Sequence, residues 1–204
     1  MLASASSARL GLLRAAGIDP IVAVSGVDED AALREAEGSL GPLRPADAAL
    51  VLARAKCVDV AARPPTGIAG PVVVLGCDSL LDLDGVAYGK PVDGEDAARR
   101  WRLMSGRTGL LHTGHLLVDL AGGGCVGRTV STEVTFASVT EDDIAAYVGT
   151  GEPLGCAGAF TIDGYGGAYV TSLNGDHHNV IGLALPELRS MVTDLGYPWQ
   201  ALWR

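Results

Sequence analysis

The chain has 204 residues, 48% of them hydrophobic, which allows one sizeable core or two small lobes about one cleft. A formal net charge of −9 disfavours a groove for DNA or RNA backbone, which needs a basic stripe, but not a single nucleotide held by a few local cations and a metal. Cys57, Cys77, Cys125 and Cys156 form no C-x-x-C pair and no apolar run approaches the ~20 residues of a membrane helix, so the expectation is a soluble cytoplasmic protein with reduced thiols.

A first strand is expected from Leu2, which leaves no room for a signal peptide. Ser4, Ser6 and Ser7 follow, then Leu10, Leu12, Leu13 and Ala16 at helical spacing, with Gly17 as the stop. A helix start with free N–H groups, Ser hydroxyls and Arg9 suits a phosphate, although each feature alone fits an ordinary capped helix. Ile21 to Val24 predicts a second strand that runs into Asp28-Glu29-Asp30, three acids placed for a solvated loop or for a metal ligand. Residues 38 to 45 read as a loop and 47 to 63 as a helix carrying Arg54 and Lys56, closed by Pro64-Pro65-Thr66-Gly67.

The stretch from Val72 organises the chain. Val72-Val73-Val74-Leu75 predicts a buried central strand that ends at Gly76-Cys77-Asp78-Ser79. Asp84-Gly85 marks a tight turn, from which Val86 to Tyr88 runs back and brings Gly89-Lys90-Pro91 towards the level of Asp78. A carboxylate and an ammonium then face one cleft.

Beyond it, residues 95 to 104 predict a helix, and 110 to 120 with 126 to 136 a long antiparallel hairpin. Thr140-Glu141-Asp142-Asp143 has the form of a capping box. The Gly-rich segment from 149 to 182 suggests tight turns and close backbone approach, with short β pieces at 160 to 162 and 168 to 173. A last helix is expected from Pro186 to Leu195. His112 and His115, three apart in a strand, point to opposite faces and do not chelate one ion; His177 and His178 fall in a surface loop. Trp101, Trp199 and Trp203 read as packing residues, the last two also as candidates for a dimer contact. The pattern is an α/β unit: a mixed, twisted sheet with flanking helices.

The order of the short motifs carries more than any one of them. Ser-x-Ser with Arg9, Val-Asp-Glu, a helical Lys, Gly-Cys-Asp-Ser, Gly-Lys-Pro, Ser-Gly, Thr-Gly, Gly-Glu-Pro, Ala-Gly-Ala-Phe and Asn-Val-Ile-Gly-Leu succeed one another over nearly the whole chain. That series resembles the Maf family of nucleoside triphosphate pyrophosphatases, most closely its actinobacterial form. The resemblance implies a single domain over 1–204, an elongated two-lobed Maf/ITPase-like architecture with a central cleft, a homodimer, and metal-dependent (Mg²⁺ or Mn²⁺) cleavage of a nucleoside triphosphate to the monophosphate and pyrophosphate. It also implies residue roles: Asp78 as catalytic carboxylate, Ser4, Ser6, Arg9, Lys56 and Lys90 on the phosphates, and Glu29 with Asp78 at the metal. Three positions depart from patterns common in the family and tend to sort its members by base: Ala8 in Ser6-Ser7-Ala8-Arg9, Ser79 after Asp78, and Asp163 in Ile162-Asp163-Gly164. An ionised Asp163 only accepts hydrogen bonds, which favours a guanine edge with two donors over uracil or thymine. The competing reading is a nucleotide-binding regulator of cell division without catalysis. An α/β-hydrolase lacks its G-x-S-x-G here, and a nicotinamide dehydrogenase its strand-proximal G-x-G-x-x-G.

Overall fold

The computed structural model describes residues 1–64 and 70–204. Pro65, Thr66 and Gly67, expected to close a helix, lie outside them. The elements are α1 (Ser7–Ala15), α2 (Glu29–Leu40), α3 (Pro45–Ala61), β1 (Val73–Leu83), β2 (Val86–Tyr88), α4 (Gly94–Met104), β3 (Thr108–Asp119), β4 (Cys125–Phe136), α5 (Glu141–Gly149), β5 (Val170–Asn174), α6 (His177–Ile181) and α7 (Leu185–Asp194). Short 3₁₀ turns fill much of the stretch between α5 and β5.

The five strands form one sheet in the order β2-β1-β3-β4-β5, every pairing antiparallel. Among the described residues parallel pairing is confined to isolated bridges of Leu2 with Val22 and with Leu75. The strand expected over Ile21–Val24 is therefore a single bridge. Leu2 donates to the Ile21 carbonyl and accepts from Ala23, which ties the N-terminal segment between that bridge and β1. The β1–β2 hairpin turns at Asp84-Gly85, both at positive φ, and pairs Leu81 with Tyr88.

β1 differs from expectation in one way that matters: it does not end at Asp78. Ser79-Leu80-Leu81-Asp82-Leu83 continues the strand, and Asp78 sits in its middle opposite Gly114. Asp28-Glu29-Asp30 is not a loop either. Asp28 caps α2 by accepting from the Ala31 N–H, and Glu29 and Asp30 occupy its first turn, where acids complement the helix dipole. α2 reaches Leu40, so only the end of the loop expected over 38–45 remains. Phe160–Ile162 is not a strand; the chain there leaves a 3₁₀ turn whose Gly158 has a φ of 69°. His177 and His178 open α6, capped by Asp176, instead of lying in a loop. Of Ser6 and Ser7, either of which suits a helix start, Ser6 caps α1, and the Thr140–Asp143 capping box forms as expected.

The alternation of β1 and β3 sorts the core. Val74, Gly76, Asp78 and Leu80 face α3, where Val74 and Leu116 pack with Cys57 and Val60, and Leu80 with Ala48 and Ala49. The opposite face carries two larger clusters. Leu75, Cys77 and Leu117 meet Leu13 of α1 and Leu188, Met191 and Val192 of α7. Leu81, Leu83 and Leu111 meet Trp101 of α4, Tyr147 of α5 and Phe160. Between these two clusters β1 offers Ser79 and β3 offers Thr113, so a polar seam crosses an otherwise apolar face.

Candidate active site

α3 lies close on the sheet because two strand positions lack a side chain. A Cβ on Gly76 would sit 2.4 Å from the Ala53 carbonyl oxygen, and one on Gly114 2.3 Å from that of Ala49. The close approach delivers Lys56 to Asp78: the ammonium donates to Asp78 Oδ1 and also meets Glu29 Oε1 at 2.7 Å, from the first turn of α2. The Asp78 and Lys56 side chains are only 10% and 15% exposed, whereas Glu29 is 51% exposed. Burial holds the Asp78 carboxyl above the usual carboxylate range, against the opposing pull of Lys56 and Arg9. The result is a buried carboxylate bonded to an ammonium that a second, half-open carboxylate shares.

Ser79 points to the other face and joins a different network. Arg9, buried in α1, donates through Nη2 to Ser79 Oγ at 3.0 Å, through Nη1 to Ser4 Oγ at 3.2 Å and through Nε to the Gly182 carbonyl at 2.7 Å. Ser79 in turn meets Thr113 Oγ1 at 2.9 Å, and Thr113 donates to the Asn179 carbonyl. Ser6 Oγ caps α1 by accepting from the Arg9 N–H, and Ser4 Oγ accepts from the Ser6 N–H. Each partner of the guanidinium is a neutral oxygen. Among the described residues no carboxylate stands within ion-pair distance of Arg9, so its buried charge has no direct anionic partner and meets Asp78 only through space.

Beside this seam opens a cavity of about 560 Å³ lined by Ser7, Ala8, Gly11 and Leu12 of α1 on one side and Cys156, Thr161 and Asp163 on the other. Ala8 and Asp163, two of the three expected base-sorting residues, thus face one space; Ser79 does not line it and bonds Arg9. Asp163 accepts from Thr161 Oγ1 through Oδ1. Lys90 is exposed and makes no contact with Asp78, unlike Lys56. Its ammonium acts instead on Cys156 of the cavity wall, opposing the burial that pushes that thiol up to about 11. The expected pocket of Asp78 with two lysines is therefore an Asp78–Lys56–Glu29 cluster, from which Lys90 stands apart.

A divalent cation fits the donor set at Glu29 and Asp78. Each carboxylate spends one oxygen on Lys56 and keeps another, a pair of hard oxygen donors. Two protein ligands suit a cation that takes its remaining ligands from water and phosphate oxygens. The histidines are engaged elsewhere. His112 Nδ1 meets Ser131 Oγ at 2.7 Å, and His115 Nε2 accepts from the Ala184 N–H at 3.0 Å. Asp176, His177 and His178 bring ligand atoms within 4.8 Å of one another, but Asp176 already serves as the cap of α6.

Three contributors lie in the sequence motifs but were given no role there. Thr113 and Asn179 are polar residues inside buried stretches, and that mismatch was the available signal. Glu152, of Gly-Glu-Pro, accepts from Tyr147 Oη at 2.8 Å and from the N–H groups of Tyr165 and Gly166 at 3.0 and 2.9 Å, which fixes the turn just after Asp163. The signal there was the bare backbone around it: a Cβ on Gly164 would sit 2.1 Å from Glu152 Oε2.

Comparison with known proteins gives a consistent result. The family model described as Maf-like protein matches residues 1–195. A nucleoside triphosphate pyrophosphatase of Streptomyces coelicolor is 52% identical over all of this chain and 93% of its own length. Proteins of the same name from Salinispora tropica and Leifsonia xyli are 47% and 48% identical, over 86% and 95% of their lengths. With the motif order, the sheet and the whole-length similarity in agreement, this chain belongs to the Maf family.

Proposed function

We propose that the protein hydrolyses nucleoside triphosphates to the monophosphate and pyrophosphate. Asp78 orients a water molecule and takes its proton as the oxygen attacks the α-phosphorus. The bond from that phosphorus to the α–β bridging oxygen breaks, and pyrophosphate leaves with the electron pair. A carboxyl held above its ordinary range by burial is a better base than an exposed one. Lys56, Arg9 and Lys90 meet the phosphates, with the hydroxyls of Ser4 and Ser6 at the start of α1. Glu29 and Asp78 are the residues that would hold Mg²⁺ or Mn²⁺, which when bound neutralises charge on the reacting phosphates. The homodimer rests on the resemblance, and the cytoplasmic setting on the resemblance and on the reading of the four cysteines as reduced thiols. Among the described residues no helix is long and apolar enough to cross a membrane.

The observation that supports this reading is the buried Arg9 guanidinium, without a direct anionic partner among the described residues, on Ser79, the residue next to Asp78 of the Asp78–Lys56 pair. A buried cation satisfied only by neutral oxygens gains most from an anionic ligand. Incubation with a panel of standard and modified triphosphates and Mg²⁺, followed by product chromatography, tests it. Equal amounts of monophosphate and pyrophosphate are expected. Diphosphate with orthophosphate would refute the mechanism, and tight binding without turnover would favour the non-catalytic regulator.

The cavity between Ala8 and Asp163 is read as the base pocket. Asp163 accepts from the two donors of a guanine edge, so guanine-type triphosphates are preferred. Asp163→Asn, which exchanges an acceptor for a donor, lowers that preference on the order of tenfold. A clear pyrimidine preference in the unaltered protein, or an Asp163→Asn variant with the same preference, would end this reading.

A further inference from the structure

Lys90 stands on a turn whose backbone is held almost entirely by one helix. Gly89 and Lys90 each present a carbonyl to Arg100 of α4, which donates through Nη1 to Gly89 at 2.6 Å and through Nη2 to Lys90 at 3.3 Å. The guanidinium is itself fixed. Its Nη2 pairs with Asp96 Oδ2 at 2.6 Å, and its central carbon lies 5.4 Å from the centre of the Tyr88 ring. Asp96 reaches back to the same turn by accepting from the Val92 N–H at 3.2 Å. Between Arg100 and Val92, Pro91 is buried, and a residue that precedes proline is confined to extended backbone.

Two features separate this arrangement from an ordinary helix-to-loop contact. The Arg100 side chain is 10% exposed and Asp96 13%, so the pair has been taken out of water to grip carbonyls of a surface turn. The Gly89 carbonyl also accepts from the Gly158 N–H at 2.9 Å. Gly158 lies two residues after Cys156 on the cavity wall, at a positive φ that favours glycine, and a Cβ there would strike Leu81 at 2.7 Å. One peptide group thus joins the Lys90 turn to the wall that carries Cys156 and Asp163.

We infer that Arg100 is a positioning residue that acts through Lys90, locking the turn so that the exposed ammonium is presented to the cavity side. The inference rests on the reading of Lys90 as a phosphate-binding residue. It adds a residue that no motif of the sequence marked.

The test is a double-mutant cycle on steady-state triphosphate hydrolysis with Mg²⁺, using Lys90→Ala, Arg100→Met and both together. Each single change raises KM about tenfold with kcat less affected, as loss of a ground-state phosphate contact does. In the Lys90→Ala background, Arg100→Met changes KM less than twofold, because the group it positions is gone. Arg100→Lys, which keeps one donor, recovers part of the loss. Should Arg100→Met fold poorly by circular dichroism, Asp96→Asn loosens the same guanidinium and is expected to show the same non-additivity. An unchanged KM in Arg100→Met, or a loss that multiplies with that of Lys90→Ala, overturns the inference while leaving Lys90 its role. Unchanged kinetics in Lys90→Ala itself removes that role, and the inference with it.

Discussion

Neighbouring residues on one strand lead into two different kinds of surroundings. Asp78 faces α3 and is bonded to Lys56, formal charge against formal charge. Ser79 faces the other way, into a network in which Arg9, Thr113 and Asn179 exchange hydrogen bonds with neutral groups only. On the first face a cation from the protein itself offsets part of the cost of burying a carboxylate. On the second, among the described residues, a buried cation has no carboxylate in direct contact. On the proposed function the two faces divide the work, one holding the carboxylate that would act as base and the other a cation that would meet the ligand.

Lys56→Met breaks the first face most severely. It leaves Asp78 and Glu29 with no cation between them and is expected to lower turnover on the order of 10²–10³-fold, measured as pyrophosphate release. A loss under fivefold would mean that the pair holds α3 on the sheet and does no more.

The second face is probed by acid. Burial lowers the His115 pKa from 6.5 to about 4, so the folded chain keeps this imidazole neutral while the unfolded chain protonates it. Stability from this group is whole above about pH 6.5 and is lost as pH falls towards 4, on the order of 3 kcal/mol in all. Denaturant unfolding across that window should show the decline, and His115→Gln should flatten it. A His115→Gln variant with the same acid dependence would place the decline elsewhere.

A smaller change sharpens how the faces are kept in register. Gly114→Ala sets a Cβ against the Ala49 and Leu50 backbone, which cannot swing aside as a side-chain tip would. A loss of about 1–3 kcal/mol is expected, with reduced activity because α3 carries Lys56 away from Asp78. Unaltered stability would show that α3 has room the geometry denies it.

Much of this was legible in the chain because its signals are local. Alternation marked β4, Asp84-Gly85 marked the hairpin, and Ser6 or Ser7 and Thr140 marked helix starts. The extent of β1 was not, since a small residue followed by a carboxylate reads as a strand end unless the helix that fills Gly76 and Gly114 is known. α2 was missed although Asp28 and the first-turn acids announced it, because an acidic run also fits a metal loop. Within the site, residue types and order pointed to Lys56, Asp78 and Glu29. They gave no indication that Arg9 is tied to Ser79 and Gly182, or that Lys90 depends on Arg100, because those bonds join segments 70, 173 and 10 or 11 residues apart.

Asp78→Asn addresses the central claim most directly, because it removes one charge and almost no volume. Its turnover of a saturating triphosphate should fall at least 10²-fold while the nucleotide still binds within a few-fold of the unaltered protein and the melting temperature is equal or higher, a buried and desolvated carboxylate having been neutralised. A variant that releases pyrophosphate at the original rate would contradict the account, since the chemistry would then belong to some other group.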